Sequence, residues 1–267
     1  MNLELTGRVA VVTGASKGIG LAVTEALLRE GARVVGASRG RSDELDALEG
    51  DFVHVGVDLM DHDAPAAVVR GAIDEFGGLD ILVNNAGGPP PGDNLPHTGF
   101  LARSDHHWRA MFEFNLFSAV RACRAAIPLM LERGGGAIVN ITSGNGRQPT
   151  PFNLDYSASK AALINVTKAL SEEFGPQGVR VNSVAPGPVR TAWWTEEGGA
   201  ADILAEVTGS DRDSVLTKLA PEMMNLTTGR MVEPREIADA VLLLVSPRSA
   251  STTGTELIVD GGLLKVA

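Results

Sequence analysis

The stretch Thr13-Gly14-Ala15-Ser16-Lys17-Gly18-Ile19-Gly20 follows a short apolar run, residues 8–13 (RVAVVT), and opens a segment with helical periodicity over 18–29. Glycines at such a junction allow the backbone to turn tightly and to approach a pyrophosphate. The N-terminus of the following helix offers free N–H groups and a positive dipole end to the same anion. The stretch therefore predicts a strand–turn–helix unit that binds a nucleotide, with a structural turn that binds no ligand as the alternative.

Strand-like and helix-like segments alternate along the rest of the chain. Strand-like runs lie at 33–37, 52–57, 80–83, 137–141, 179–184 and 256–259. Helical patterns lie at 43–49, 105–131, 156–174 and 234–245, and a further helical pattern follows the run at 52–57 and ends near residue 76. This alternation predicts βαβ units, a parallel sheet and right-handed crossovers. No repeat or linker divides the chain, so a single α/β domain over residues 1–267 is expected.

Two segments interrupt this alternation. Residues 87–99 are rich in glycine and proline and are expected to form a loop. Residues 188–230 have a mixed pattern that contains Trp193 and Trp194. A segment of that length inside a compact domain is usually a lid or a binding loop. The two tryptophans either cover a hydrophobic substrate or pack the lid against the body or another subunit.

Composition excludes several classes of function. The 267 residues carry 23 Lys+Arg against 33 Asp+Glu, a net charge of −10, which does not favour a nucleic-acid partner. The single cysteine, Cys123, lies in an apolar helical run and is expected to be a core residue. The five histidines lack the spacing of a zinc site, so no metal is expected. We see neither a signal peptide nor a membrane span, and we expect a cytoplasmic protein.

Further motifs follow the glycine-rich turn in a fixed order. Asn84-Asn85-Ala86-Gly87 follows the fourth strand-like run, Asn115 lies in the long helix at 105–131, and Pro186-Gly187 follows the sixth run. Tyr156-Ser157-Ala158-Ser159-Lys160 opens another helix, and Ser143 stands thirteen positions before its tyrosine. With these motifs the chain resembles the short-chain dehydrogenase/reductase family, in its compact branch, from about residue 5 to residue 264.

The resemblance implies a fold and a reaction class. The fold is a doubly wound Rossmann-type domain with a seven-stranded parallel sheet in the order 3-2-1-4-5-6-7, helices on both faces and a lid after the sixth strand. The reaction is hydride transfer between a nicotinamide cofactor and a carbonyl or secondary alcohol. Reductases of 3-oxoacyl thioesters on carrier proteins are the nearest relatives within the family, and a homotetramer or dimer is implied.

The resemblance also assigns catalytic roles. Tyr156 transfers the proton, Ser143 positions the substrate oxygen, Lys160 binds the nicotinamide ribose, and Asn115 holds a water that continues the proton path. Tyr156 and Lys160 are one helical turn apart and therefore lie on one face. A tyrosine that acts near neutral pH needs a pKa lowered by roughly 3 units, which a nearby ammonium and an oxidised nicotinamide could supply.

The cofactor is expected to be NADP(H) rather than NAD(H). The second strand-like run ends at Ser38-Arg39, where NAD-selective folds place an acid. Ser38, Arg39 and Lys17 could converge on a 2′-phosphate, or the two cations could simply be solvated. The full set that the resemblance assigns to the cofactor is Gly14, Ser16, Lys17, Gly18, Ile19, Gly20, Ser38, Arg39, Asp58, Leu59, Asn85, Ala86, Gly87, Tyr156, Lys160, Pro186, Gly187, Val189 and Thr191.

Two alternatives to a general carbonyl reductase remain open. Acidic carrier proteins favour a basic rim, yet Ser171-Glu172-Glu173 is acidic, and Arg121, Arg124 and Arg133 compensate for it only in part. A protein that kept the fold for nucleotide sensing and lost catalysis would lack the tyrosine, lysine or serine, and all three are present.

Overall fold

A computed structural model describes residues 2–92 and 99–265, which are built around one seven-stranded parallel sheet. The strands are β1 Val9–Thr13, β2 Arg33–Ser38, β3 Phe52–Gly56, β4 Ile81–Asn84, β5 Gly136–Ile141, β6 Val179–Pro186 and β7 Glu256–Val259. Their order is β3-β2-β1-β4-β5-β6-β7, and every neighbouring pair is parallel. The predicted Rossmann-type fold and strand order are confirmed.

Helices connect the strands and cover both faces of the sheet. They are α1 Gly18–Arg29, α2 Asp43–Asp46, α3 Ala64–Phe76, α4 Asp105–Phe112, α5 Ser118–Glu132, α6 Leu154–Phe174, α7 Ala192–Thr195, α8 Ala200–Thr208, α9 Arg212–Ser214, α10 Ala220–Met223 and α11 Pro234–Val245. Side chains of α1 and α11 pack on one face, and those of α3 and α5 pack on the other. Strands buried on both faces explain why their sequences are continuous apolar runs.

The long helical pattern at 105–131 is not one regular helix. A π-helical turn, Glu113–Phe117, separates α4 from α5 and contains Asn115. Such turns frequently occur at functional sites. By length and composition alone Asp105–Glu132 could cross a membrane, but half of its most apolar window is buried inside the protein. Helix packing against the sheet therefore accounts for its apolar character.

The lid predicted at 188–230 consists largely of short helices. Helices α7 to α10 and a π-helical segment, Val215–Leu219, occupy most of it. They enclose a small core of their own around Ala201, Val215 and Met231. A parallel bridge between Val189 and Val232 closes its base. Part of the loop predicted at 87–99, residues 93–98 with His97, lies outside the described residues.

Candidate active site

The sheet order places the candidate site at the carboxyl ends of β1 and β4. These strands are neighbours, while the chain runs from β1 outward to β3 on one side and from β4 outward to β7 on the other. Helices that leave such a pair in opposite directions open a crevice where ligands of doubly wound folds bind. The glycine-rich turn after β1 and the Asn84–Gly87 motif after β4 both reach this crevice.

Glycine is required at two positions of the turn. Gly14 has a φ of 69°, in the left-handed region. A Cβ on Gly20 would lie 2.0 Å from the carbonyl oxygen of Gly14, so only glycine lets α1 start this close to the turn. The glycines thus pack the turn tightly against the start of α1, whose N–H groups are those predicted to bind an anion.

Asn85 holds the turn in shape. Its amide nitrogen donates to the carbonyl oxygens of Thr13, at 2.9 Å, and of Gly14, at 3.2 Å. The Thr13 hydroxyl accepts in return from the backbone N–H groups of Asn85 and Ala86, both at 3.0 Å. The sequence pattern did not point to Thr13, and the structure makes it the link between β1 and β4.

Lys17 and the lid contact each other in this conformation. The Lys17 ammonium is 3.4 Å from Glu196 Oε1, and both side chains are largely exposed. A Cβ on Gly18 would meet the Thr191 side chain at 3.1 Å, so the base of the lid lies directly against the phosphate-binding turn. The convergence of Lys17, Ser38 and Arg39 on a 2′-phosphate stays a prediction.

Ser38 and Arg39 lie at the end of β2, as predicted. The Ser38 hydroxyl donates to the Gly40 carbonyl oxygen at 2.8 Å and lies 2.8 Å from His54 Nε2 on β3. Burial and the neighbouring Arg41 lower the pKa of His54. Arg39 is exposed to solvent. The register of β2 and β3 brings His54 to this corner, a role that its place in the sequence did not reveal.

The remaining proposed cofactor residues line the same edge. Asp58 follows β3 and accepts from the backbone N–H of Met60 at 3.0 Å, while Leu59 is buried. After β6, the backbone of Gly187 packs against Asp260, and a Cβ there would lie 2.5 Å from the Asp260 carbonyl oxygen. Pro186 ends β6 itself.

The structure brings Ser143, Tyr156 and Lys160 together. Ser143 follows β5, and its hydroxyl accepts from the backbone N–H of Asn145 at 3.1 Å. Burial raises the pKa of Tyr156, and a hydrogen bond with the Ser143 side chain lowers it in part. The Lys160 ammonium is 5.6 Å from the centre of the Tyr156 ring. In this structure burial therefore keeps the pKa of the phenol above its ordinary value.

Lys160 is a deeply buried cation. It is 2% exposed, and its ammonium donates to the Ile141 carbonyl oxygen at 2.9 Å. Burial lowers its pKa to about 8. The group is therefore charged at neutral pH but close to its titration range, as a proton relay requires.

Asn115 is anchored to the loop after β4. Its amide nitrogen donates to the Gly88 carbonyl oxygen, and its amide oxygen accepts from the Gly88 N–H, both at 2.8 Å. A Cβ on Gly87 would lie 2.9 Å from both Asn115 Oδ1 and Lys160 Nζ. Three predicted residues therefore meet at one point, and only glycine leaves space there.

A buried carboxylate lies behind Ser143. Glu256 Oε1 is 2.9 Å from the hydroxyl of Thr142, the residue before Ser143. Arg147, in the segment after Ser143, donates to the other oxygen of Glu256. Sequence reasoning missed this group because Glu256 lies more than a hundred residues further along the chain.

The two tryptophans have different environments. Trp194 packs against the core of the lid, whereas Trp193 stays 39% exposed and meets Trp194 edge to face at 5.0 Å. Trp194 thus packs within the lid itself, and whether either tryptophan covers a substrate or packs the lid against the body or another subunit stays a prediction. Among the described residues no group of three His, Cys, Asp or Glu side chains could hold a metal ion.

Comparisons with known proteins agree with this geometry. The family model described as short chain dehydrogenase matches residues 8–201. The 3-oxoacyl-(acyl-carrier-protein) reductase FabG of Vibrio cholerae is 35% identical and is covered over 100% of both chains. L-sorbose reductase from Gluconobacter frateurii, solved with NADPH and L-sorbose, has a TM-score of 0.90 at 33% identity, with 100% of both chains covered.

A further solved structure is similar in fold and differs in its cofactor. It is a 7α-hydroxysteroid dehydrogenase complexed with NADH and 7-oxo glycochenodeoxycholic acid. Its TM-score is 0.81 at 30% identity, and the match covers 98% of this chain and 96% of that one. From the family match, the relatives and the fold together, the chain belongs to the short-chain dehydrogenase/reductase family of oxidoreductases.

Proposed function

We propose that the protein interconverts a carbonyl compound and its secondary alcohol with NADP(H), with Tyr156 as the acid–base residue. The observation that carries this proposal is the meeting of Ser143, Tyr156 and Lys160 beside a glycine-rich turn that fits a pyrophosphate. NADP(H), when bound, supplies or accepts the hydride.

The chain's own residues orient the substrate and move the proton. The Ser143 hydroxyl donates to the substrate oxygen, and the Tyr156 hydroxyl protonates that oxygen during reduction. A phenol with a raised pKa is protonated at neutral pH and can act as this acid. In the reverse direction Tyr156 must become a phenolate, which the Lys160 cation favours electrostatically. Asn115 fixes the loop after β4 and holds the water that connects Lys160 to solvent.

The role of Tyr156 is tested by Tyr156→Phe. We expect kcat to fall by about 10²- to 10⁴-fold, because the acid–base group is lost, while the Kd for NADPH stays within about twofold. Stopped-flow kinetics on a verified carbonyl substrate and fluorescence titration with NADPH give the two numbers. Phe117→Leu, an exposed ring on the π-helical turn, is the control. Wild-type turnover in the Tyr156 variant would refute the assignment.

The preference for NADP(H) is tested at Arg39. Arg39→Ala is expected to weaken NADPH binding about tenfold or more, because a charge-assisted bond contributes about 1.5–3 kcal/mol, and to leave NADH binding unchanged. Arg41→Ala is the matched control, since this neighbouring cation is already paired with Asp46. A tenfold preference of the wild type for NADH, or an unchanged NADPH affinity in Arg39→Ala, contradicts the proposal.

Reduction of carrier-bound 3-oxoacyl thioesters is the second candidate, because the Vibrio cholerae relative bears that name. The charges favour it less. Arg121 is paired with Glu113, Arg133 with Asp80, and Lys168 with Glu172. These pairs neutralise part of the positive charge near α5 and α6 within the described residues, and leave the exposed Arg124 on α5 as a cation that an acidic carrier could contact. An NADPH-consumption screen over ketones, quinones, sugars and 3-oxoacyl thioesters separates the candidates.

The same screen tests a non-catalytic, NADPH-binding role. Tight NADPH binding without turnover of any compound in the screen would support that role. The presence of the serine, tyrosine and lysine argues against it. The proposed protein is cytoplasmic and assembles as a homotetramer or dimer through α4–α6 and the segment after β7.

A further inference from the structure

A buried ion pair adjoins the proposed acid–base residue. Arg103 precedes α4, and Asp155 is the second residue of α6, directly before Tyr156. The two side chains are hydrogen-bonded to each other, and each is only 1% exposed. Neither residue belongs to the motifs by which the chain resembles its family.

The Asp155 carboxylate acts directly on the backbone of Tyr156. The oxygen that binds Arg103 also accepts from the Tyr156 N–H, at 2.8 Å. The first N–H groups of a helix have no partner within the helix. Asp155 therefore supplies the missing acceptor for Tyr156, and Arg103 fixes the orientation of Asp155.

Arg103 also joins two loops that border the site. Its guanidinium donates to the Phe152 carbonyl oxygen at 2.6 Å, in the segment between β5 and α6. Its own backbone N–H donates to the Phe100 carbonyl oxygen at 3.2 Å, in the segment after β4. Both phenylalanine side chains are 65% exposed. Arg103 thus connects the loop after β4 to the first turn of α6.

Stability alone is a poor explanation for this pair. Removing two charges from water is costly, and well-packed apolar residues often replace a buried ion pair without loss. A charged, directional hydrogen bond instead fixes the positions of the groups that it joins. Here it fixes the backbone at Tyr156, because the same Asp155 oxygen accepts from the Tyr156 N–H.

We propose that Arg103 is a positioning residue for Tyr156, acting through Asp155 to hold the first turn of α6 against the loops after β4 and β5. This inference rests on the proposed role of Tyr156. A displacement of about 1 Å of a reacting group can lower a rate by about a hundredfold. The phenol must stay in register with Ser143, which is on a different segment, so a loosened first turn lowers kcat.

The experiment uses the fact that Tyr156 is the only tyrosine in the chain. Protein labelled with carbon-13 at the tyrosine ζ position gives one resonance, which reports the environment of that phenol. It is recorded across pH for wild type, Arg103→Met, Arg103→Lys and Asp155→Asn, with and without NADP⁺. Thermal unfolding, NADPH affinity and steady-state kinetics are measured on the same samples.

Arg180→Met is the matched control. Arg180 is a half-buried arginine that, like Arg103, donates to backbone carbonyl oxygens, but it lies at the amino end of β6, away from the carboxyl ends of the strands where the site lies. Its loss is expected to lower the Tm without moving the tyrosine resonance.

For Arg103→Met we expect a shifted or broadened resonance, kcat lowered about tenfold to a hundredfold, and NADPH affinity within about twofold. Arg103→Lys keeps the charge and should recover much of the loss. Should Arg103→Met not fold, Arg103→Lys and Asp155→Asn carry the same measurement, with smaller displacements of the resonance.

Two results would overturn the inference: a lower Tm with unchanged resonance and kcat in the Arg103 and Asp155 variants, or an equal resonance change in Arg180→Met. The failure of the proposed function is distinguishable. It would appear as wild-type protein that turns over no carbonyl, while the resonance of the cofactor-free protein still reports whether Arg103 positions the phenol.

Discussion

At the scale of single residues, the site depends on a cation that is expensive to bury. Among the described residues, the Lys160 ammonium donates to one acceptor, the Ile141 carbonyl oxygen, and burial lowers its pKa from 10.5 to about 8. A buried ammonium beside a tyrosine is a poor arrangement for stability and a useful one for proton transfer. The proposed reaction, rather than packing, explains a lysine at this position.

This leads to a prediction for Lys160→Met. The pKa of Lys160 is lower in the folded protein than in the unfolded chain, so between pH 8 and 10.5 the unfolded chain binds more protons. The free energy of unfolding of the wild type therefore gains about 3 kcal/mol from this group as pH rises through that window. The variant lacks the gain. At pH 7 the variant also avoids the cost of burying the charge, about 3 kcal/mol, and loses about 1 kcal/mol with the hydrogen bond to Ile141. The variant should therefore be more stable than the wild type by about 2 kcal/mol at pH 7.

Urea denaturation of both proteins across pH 7 to 10.5 provides the check, because other titrating groups cancel in the difference. Lys168→Met, an exposed lysine on the same helix, is the control. A stability difference that does not vary with pH would show that the pKa of Lys160 is not lowered in the folded protein. Activity is expected to be lost in Lys160→Met at every pH.

At the scale of secondary-structure elements, β7 supports the segment that carries Ser143. The Glu256 carboxylate at the start of β7 contacts Thr142 and Arg147, which flank that serine. The Glu256 side chain is 4% exposed. A strand at the edge of the sheet thereby fixes the turn after β5, where the substrate oxygen is expected to bind.

Glu256→Gln is therefore expected to lower the free energy of unfolding by about 1–3 kcal/mol, because Arg147 loses a charged acceptor. Denaturant unfolding measures the change. Glu172→Gln is the matched control, since Glu172 pairs with Lys168 on the exposed surface of α6. The control should change stability by less than about 0.5 kcal/mol. Equal effects in the two variants would mean that the Glu256 contact contributes no more than a surface pair.

At the scale of the whole molecule, three loops converge on one edge of the sheet. Within the described residues, exposed large apolar side chains occur on the segments after β4, β5 and β6, at Phe100, Leu101, Phe152, Trp193 and Met223. The carboxyl ends of parallel strands all lie at the same edge of the sheet, so these segments begin at the edge where Ser143 lies.

The sequence by itself determined the order of strands and helices, because burial of a segment leaves a periodic pattern that can be counted locally. It also placed Tyr156 and Lys160 on one face, since helical spacing fixes that relation. The sequence also determined the glycine-rich turn, because the steric limits on the backbone that require glycine act within a few residues. The strand order came through the family resemblance.

Only the tertiary structure decided which distant side chains meet. Arg103 and Asp155 are 52 residues apart, and Ser38 and His54 face each other only through the register of two strands. No local pattern marks such partners, because a contact between segments depends on loop paths and strand pairing rather than on periodicity. The sequence thus named the residues that are proposed to react, whereas the fold decided which neighbours hold them in place.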